Sequence, residues 1–170
     1  PRFRAHGTIS DKGTVGGLKA YDPVTEADQA AELAIRALIE QQFPEHGILG
    51  EEHGSMGTDR RHVWVIDPID GTRAFITGIP VWGTLVGLME NGKAIAGMMA
   101  QPYTGELFYA LGGKSVRRSA SGEVQNRVSA VSALSGATLF TTTPHLFRGA
   151  ARERYDRVES QVKLFRYGCD

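Results

Sequence analysis

Trp64-Val65-Ile66-Asp67-Pro68-Ile69-Asp70-Gly71-Thr72 is the stretch on which the reading of this chain turns. Val63 to Ile66 is apolar at every position, as expected of a strand buried on both faces of a sheet. That strand is expected to end at Asp67, which sets a carboxylate at the sheet's end, where α/β folds build sites. Pro68 has no amide hydrogen and keeps Asp67 extended, so the chain leaves the sheet in one direction. Asp70-Gly71 then turns it. Asp67, the Ile69 carbonyl and Asp70 can thereby converge as an all-oxygen set suited to Mg²⁺. Residues 72–76 can open a short helix whose free amides, with that of Gly71, would face an anion such as phosphate. An Asp-Gly pair alone is an ordinary turn, but two carboxylates at the mouth of a core strand repel unless a cation lies between them.

Working outward, the glycine-rich stretch 10–22 reads as a mobile loop. Thr25 is a good N-cap for a helix whose apolar face would be Ala27, Ala30, Ala31, Ala34, Leu38 and Ile39, ended by Phe43-Pro44. A short apolar run, Ile48-Leu49-Gly50, leads into Glu51-Glu52. Beyond the central stretch, Val81–Met89 and Ala94–Met99 read as strands flanking the tight-turn signal Asn91-Gly92. Gly105–Leu111 reads as a third strand, and 115–127 as a short edge strand and loop. Ala137–Thr142 reads as a strand, Phe147–Gln161 as a surface helix and Val162–Phe165 as a closing strand. This order predicts layered sheets and helices, an α/β class with an antiparallel meander.

Two other acidic features have bland readings of their own. Glu51-Glu52 is by itself a solvated surface pair, and beside the central stretch it offers a third carboxylate to a metal cluster. Asp28 completes a capping box with Thr25, a role compatible with accepting a proton from a neighbouring hydroxyl. Trp64 and Trp82 read as core aromatics; His46, His53 and His62 read as surface or loop residues without metal-ligand spacing to cysteine. The chain carries 19 basic and 19 acidic side chains, so no long-range field draws it to nucleic acid or an anionic membrane. One cysteine, Cys169, allows no internal disulfide and fits a reducing cytoplasm. No apolar run reaches the roughly 20 residues of a bilayer span. Pro1 in place of a methionine, and the stop at Asp170, lead us to expect trimming at both ends.

Gly50-Glu51-Glu52, Asp67-Pro68-Ile69-Asp70-Gly71-Thr72 and Asp22-Pro23-Val24-Thr25-Glu26-Ala27-Asp28 resemble the N-terminal motifs of the inositol-monophosphatase superfamily. The resemblance implies an αβαβα sandwich, of which residues 1–170 are the N-terminal, metal-binding part with a large, mainly antiparallel sheet. It implies a magnesium-dependent phosphomonoesterase working with two or three ions and activated water, on a small phosphorylated substrate, as a homodimer. By position, Glu51, Asp67 and the Ile69 carbonyl would hold one ion, and Asp67 and Asp70 a second. Thr72 paired with Asp28 would take the proton, and the amides of Gly71 and Thr72 would bind phosphate. Lys12 resembles the loop lysine near the substrate, with Lys19 its competitor. The family adds a further aspartate from a C-terminal Trp-Asp-x-Ala-Ala-Gly motif, which these 170 residues do not contain. Thr72-Arg73-Ala74-Phe75 is similar to the histidinol-phosphatase branch, with Arg73 either a substrate contact or a surface residue. Other expectations are an inositol or sugar phosphatase and a non-catalytic metal- or phosphate-binding relative.

Overall fold

Strands β1 (Ile9–Asp11) and β2 (Pro23–Thr25) pair antiparallel and deliver the chain to the first helix. This computed structural model describes residues 3–5, 7–11 and 23–168. Lys12, Lys19, Cys169 and most of the glycine-rich stretch lie outside them. Helix α1 runs Glu26–Gln42 and opens on the expected capping box. Thr25 Oγ1 accepts from the amides of Ala27 and Asp28, and the Asp28 carboxylate accepts from the Thr25 amide at 2.8 Å. Both ends of the box satisfy amides that a helix start leaves open.

The helix faces inward with a different stripe from the expected one. Asp28, Glu32, Arg36 and Ile39 are buried, whereas Ala30, Ala34 and Leu38 are exposed. Charged side chains turn inward because they find partners there: Arg36 Nε donates to Glu32 Oε1 at 2.7 Å. Burial of charge is tolerable only with such pairing.

Eight strands form one sheet. They are β3 (Gly47–Gly50), β4 (Ser55–Met56), β5 (His62–Asp70), β6 (Gly83–Glu90), β7 (Lys93–Gln101), β8 (Glu106–Leu111), β9 (Lys114–Ser119) and β10 (Gly122–Gln125). Their spatial order is β10-β9-β8-β7-β6-β5-β3-β4, antiparallel throughout except where β3 runs parallel to β5. The β6–β7 hairpin closes at Asn91-Gly92, with φ of 50° and 77°, as the tight-turn chemistry requires. The polar stretch 115–127 makes the hairpin β9–β10 instead of one edge strand. Ile39, Ile48 and Ile66 are buried together between α1 and the sheet, with Ile35 and Trp64 packed on them. Trp64 and Trp82 are half-buried, short of the core placement expected. His46 and His62 are more than loop residues: their rings lie 4.7 Å apart, and His46 Nδ1 accepts the Trp64 indole N–H at 3.0 Å.

Helix α2 (Thr72–Ile76) follows β5 directly. Residues 127–170 form a second compact unit. In it β11 (Thr138–Thr141) pairs parallel with β12 (Leu164–Tyr167), joined through helix α3 (Ala150–Glu159). The helix starts later than expected, because Phe147 lies before it and stacks on Tyr155 at 4.7 Å. Among the described residues no helix is long and apolar enough to cross a membrane.

Candidate metal centre

The central strand does not stop at Asp67. β5 continues to Asp70, and the correction has a physical cause in the register with β6. Asp67 faces Leu85 and Asp70 faces Gly83, so three steps on β5 are matched by two on β6. The extra residue is a bulge, the place in a sheet where a proline without an N–H is accommodated. Pro68 and Ile69 are buried in it, and the Pro68 carbonyl accepts from Thr84 Oγ1 at 2.9 Å. Residues three apart on a regular strand point to opposite faces. The bulge breaks that alternation, and the Asp70 charge acts on Asp67.

After Asp70 the backbone enters the left-handed region at Gly71, φ 85°, and α2 begins. A Cβ at Gly71 would lie 2.9 Å from the Val81 carbonyl oxygen and 3.2 Å from Trp82 Cα. Glycine is required there both by conformation and by space.

Glu51 reaches the same end of the sheet from β3. Its amide donates to the Ile66 carbonyl at 3.2 Å, extending the β3–β5 ladder by one residue. The Glu51 and Asp67 carboxyl groups then share a hydrogen bond. Burial first, then the charge and hydrogen bond of Glu51, then Asp70 and Asp28, push the Asp67 carboxyl up to about 7. Its Oδ1 is buried without a hydrogen-bond partner. Among the described residues no three carboxylate, imidazole or thiolate groups are gathered as a ready-made chelate. The expected three-way convergence is therefore a close Glu51–Asp67 pair with Asp70 and Asp28 acting on it.

Thr72 Oγ1 lies 3.5 Å from Asp28 Oδ1, at the edge of hydrogen-bond range. The same hydroxyl donates to the Ile69 carbonyl at 3.0 Å, so that carbonyl is turned toward Thr72. Thr25 Oγ1 also donates to Asp28 Oδ2, fixing the carboxylate from behind. Arg73 is exposed on α2.

One residue escapes the sequence reading. Glu32, fully buried, accepts from the amides of Glu52 at 2.7 Å and His53 at 3.1 Å, the turn that carries Glu51. Its signal lies in the spacing Asp28, Glu32, Arg36, four residues apart and so on one helix face.

The donor set fits a hard divalent cation. Every candidate ligand is an oxygen, one carboxylate oxygen is sealed from solvent without a partner, and Asp67, pushed up to about 7, holds a proton that a cation would displace.

Comparison with known proteins bears on the family and the fold. The family model described as inositol monophosphatase family matches residues 2–169. The chain is 46% identical over 170 residues to a protein named bifunctional phosphatase IMPL2, chloroplastic, of Arabidopsis thaliana, covering 99% of this chain and 46% of that protein. It is 37% identical over 136 residues to a histidinol-phosphatase of Mycobacterium tuberculosis, covering 78% and 52%. The chain thus spans about half the length of these curated relatives. A solved inositol monophosphatase from Zymomonas mobilis superposes with a TM-score of 0.75 at 38% identity, over 95% of this chain and 61% of that one. With its motifs, its sheet and a match over nearly every residue in agreement, the chain belongs to the inositol monophosphatase family.

Proposed function

We propose that the chain is the metal-binding part of a Mg²⁺-dependent phosphomonoesterase that hydrolyses L-histidinol phosphate to L-histidinol. The observation that carries the metal reading is the Glu51–Asp67 carboxyl pair with its sealed, unpartnered Asp67 Oδ1. Glu51, Asp67, Asp70 and the Ile69 carbonyl are the groups that would hold the ions. Magnesium, when bound, supplies Lewis acidity toward the phosphoryl oxygens and the attacking water. Thr72 Oγ1 takes a proton from that water as it passes its own to Asp28 Oδ1, a transfer supported by their 3.5 Å approach. The amides of Gly71 and Thr72, at the start of α2, donate to the phosphate oxygens. Arg73 and the loop lysine, Lys12 or its competitor Lys19, contact the rest of the substrate in this reading, and the working enzyme is a homodimer.

The choice of substrate is supported by the Thr72-Arg73-Ala74-Phe75 continuation and by the histidinol-phosphatase relative. A second reading, hydrolysis of inositol 1-phosphate, is favoured by the equally similar inositol monophosphatase structure. Assay of the complete enzyme on both phosphates with Mg²⁺ separates them: we expect preference for histidinol phosphate, and the opposite preference sinks the assignment. Asp70→Asn is expected to abolish turnover of either; unchanged turnover would reject the metal reading, and a complete enzyme inert toward both would leave a metal-binding relative.

A further inference from the structure

We propose that Glu32 is a positioning residue, holding the 51–54 turn from beneath so that Glu51 meets Asp67. The inference rests on the metal reading of that pair. Glu32 is fully buried, and each of its carboxylate oxygens is committed. Oε2 accepts the Glu52 amide at 2.7 Å; Oε1 accepts the His53 amide at 3.1 Å and Arg36 Nε at 2.7 Å. Arg36 in turn donates to the Gly54 carbonyl, and the Gly54 carbonyl also accepts the Gly50 amide at 2.9 Å. The turn is therefore gripped at both ends by one ion pair on α1. His53 adds a contact of its ring Nε2 with the Gln29 carbonyl at 3.2 Å.

Gly50 records how closely the two are fitted. A Cβ there would lie 2.0 Å from Glu32 Oε1 and 2.6 Å from an Arg36 guanidinium nitrogen. Glu51 thus sits between a glycine pressed on Glu32 and two amides bound to Glu32, while its own amide is tied to Ile66. Burial would raise the Glu32 carboxyl, but the Glu52 amide, Arg36 and the His53 amide outweigh it and hold it below its ordinary range. A buried ion pair is a poor device for stability alone, since apolar residues of like volume serve as well or better. Its use under this one turn assigns it to placing the ligand that follows Gly50.

The test is Glu32→Gln in the complete enzyme, with Mn²⁺ as the probe ion. Glutamine accepts through one oxygen only and aims an N–H at a donor. Mn²⁺ affinity, read by calorimetry or paramagnetic resonance, is expected to fall by about 10-fold or more. Turnover should fall at limiting metal and recover as metal is raised. Wild-type Mn²⁺ affinity in a folded Glu32→Gln protein, with only a lowered melting temperature, would overturn the inference. If that variant does not fold, Arg36→Lys keeps the charge but loses the planar fork that joins Glu32 to Gly54; unchanged Mn²⁺ affinity there overturns it equally. A wild-type enzyme that binds no Mn²⁺ would remove the metal reading and this inference together. Weakened Mn²⁺ binding in an enzyme inert toward both phosphates would support Glu32's role while rejecting the substrate assignment.

Discussion

Replacing Asp67 with asparagine separates what the acidic cluster costs the fold from what it does for metal binding. In the folded, metal-free protein the Asp67 carboxyl is raised from 3.8 to about 7, by burial first and then by Glu51, Asp70 and Asp28. The folded state therefore keeps this proton over a range where the unfolded chain has lost it. Between those two values the folded state binds more protons, so stability from this group falls as pH rises and is fully lost above about 7. At about 1.4 kcal/mol per pH unit the ceiling is about 4 kcal/mol; water at the partly exposed side of the carboxyl screens the charges, leaving an expected cost of about 2 kcal/mol. The substituted asparagine would donate its side-chain amide to Glu51 at every pH. In chelator-treated protein, Asp67→Asn is then expected to melt about 6 °C above wild type near pH 8, and close to it near pH 4. Thermal unfolding followed by circular dichroism at both pH values reads this directly. Saturating Mg²⁺ should reverse the ranking, since ligand at 100 times its Kd adds about 2.7 kcal/mol to a protein that binds it. No gain near pH 8, or a gain equal at both pH values, would refute the electrostatic account.

Gly71→Ala meets both a left-handed backbone and the Val81 carbonyl at 2.9 Å, whereas Gly92→Ala, also left-handed, meets nothing within 4 Å. We expect about 3 kcal/mol of lost stability for the first and about 1 kcal/mol for the second; equal melting temperatures would show that the crowding is relieved cheaply. Thr25→Ala removes the helix cap, worth about 1 kcal/mol, and frees the Asp28 carboxylate that Thr25 holds. It should lower turnover more than it lowers metal affinity, and a proportional fall in both would argue against a proton-transfer role for Asp28.

What can be read in the sequence is what local chemistry dictates. Thr25 with Asp28 announces a helix start, Asn91-Gly92 a hairpin, and Gly71-Thr72 the turn into a short helix, and each is found in place. What cannot be read depends on partners far along the chain. Glu32 and Arg36 go unremarked because nothing local says that the amides of residues 52 and 53 will come to meet Glu32. Pro68 looks like the end of a strand because its tolerance inside one depends on the bulge that β6 allows. The apolar alanines of α1 suggest its inner face; Ala30 and Ala31 instead line an open groove with Trp82 and Tyr103.

The parallel alignment of β3 with β5 has a consequence for the spacing of two acids. Gly50 is registered with Ile66, and Glu51, the first residue past β3, is tied by its amide to the Ile66 carbonyl, beside Asp67 on β5. Adjacent strands lie about 4.8 Å apart, a spacing dictated by the peptide group. The gap between these two acids is thus inherited from the backbone like the graduation on a ruler. Under the proposed metal reading, the span these two acids would offer an ion is set by the backbone of the sheet more than by their side chains.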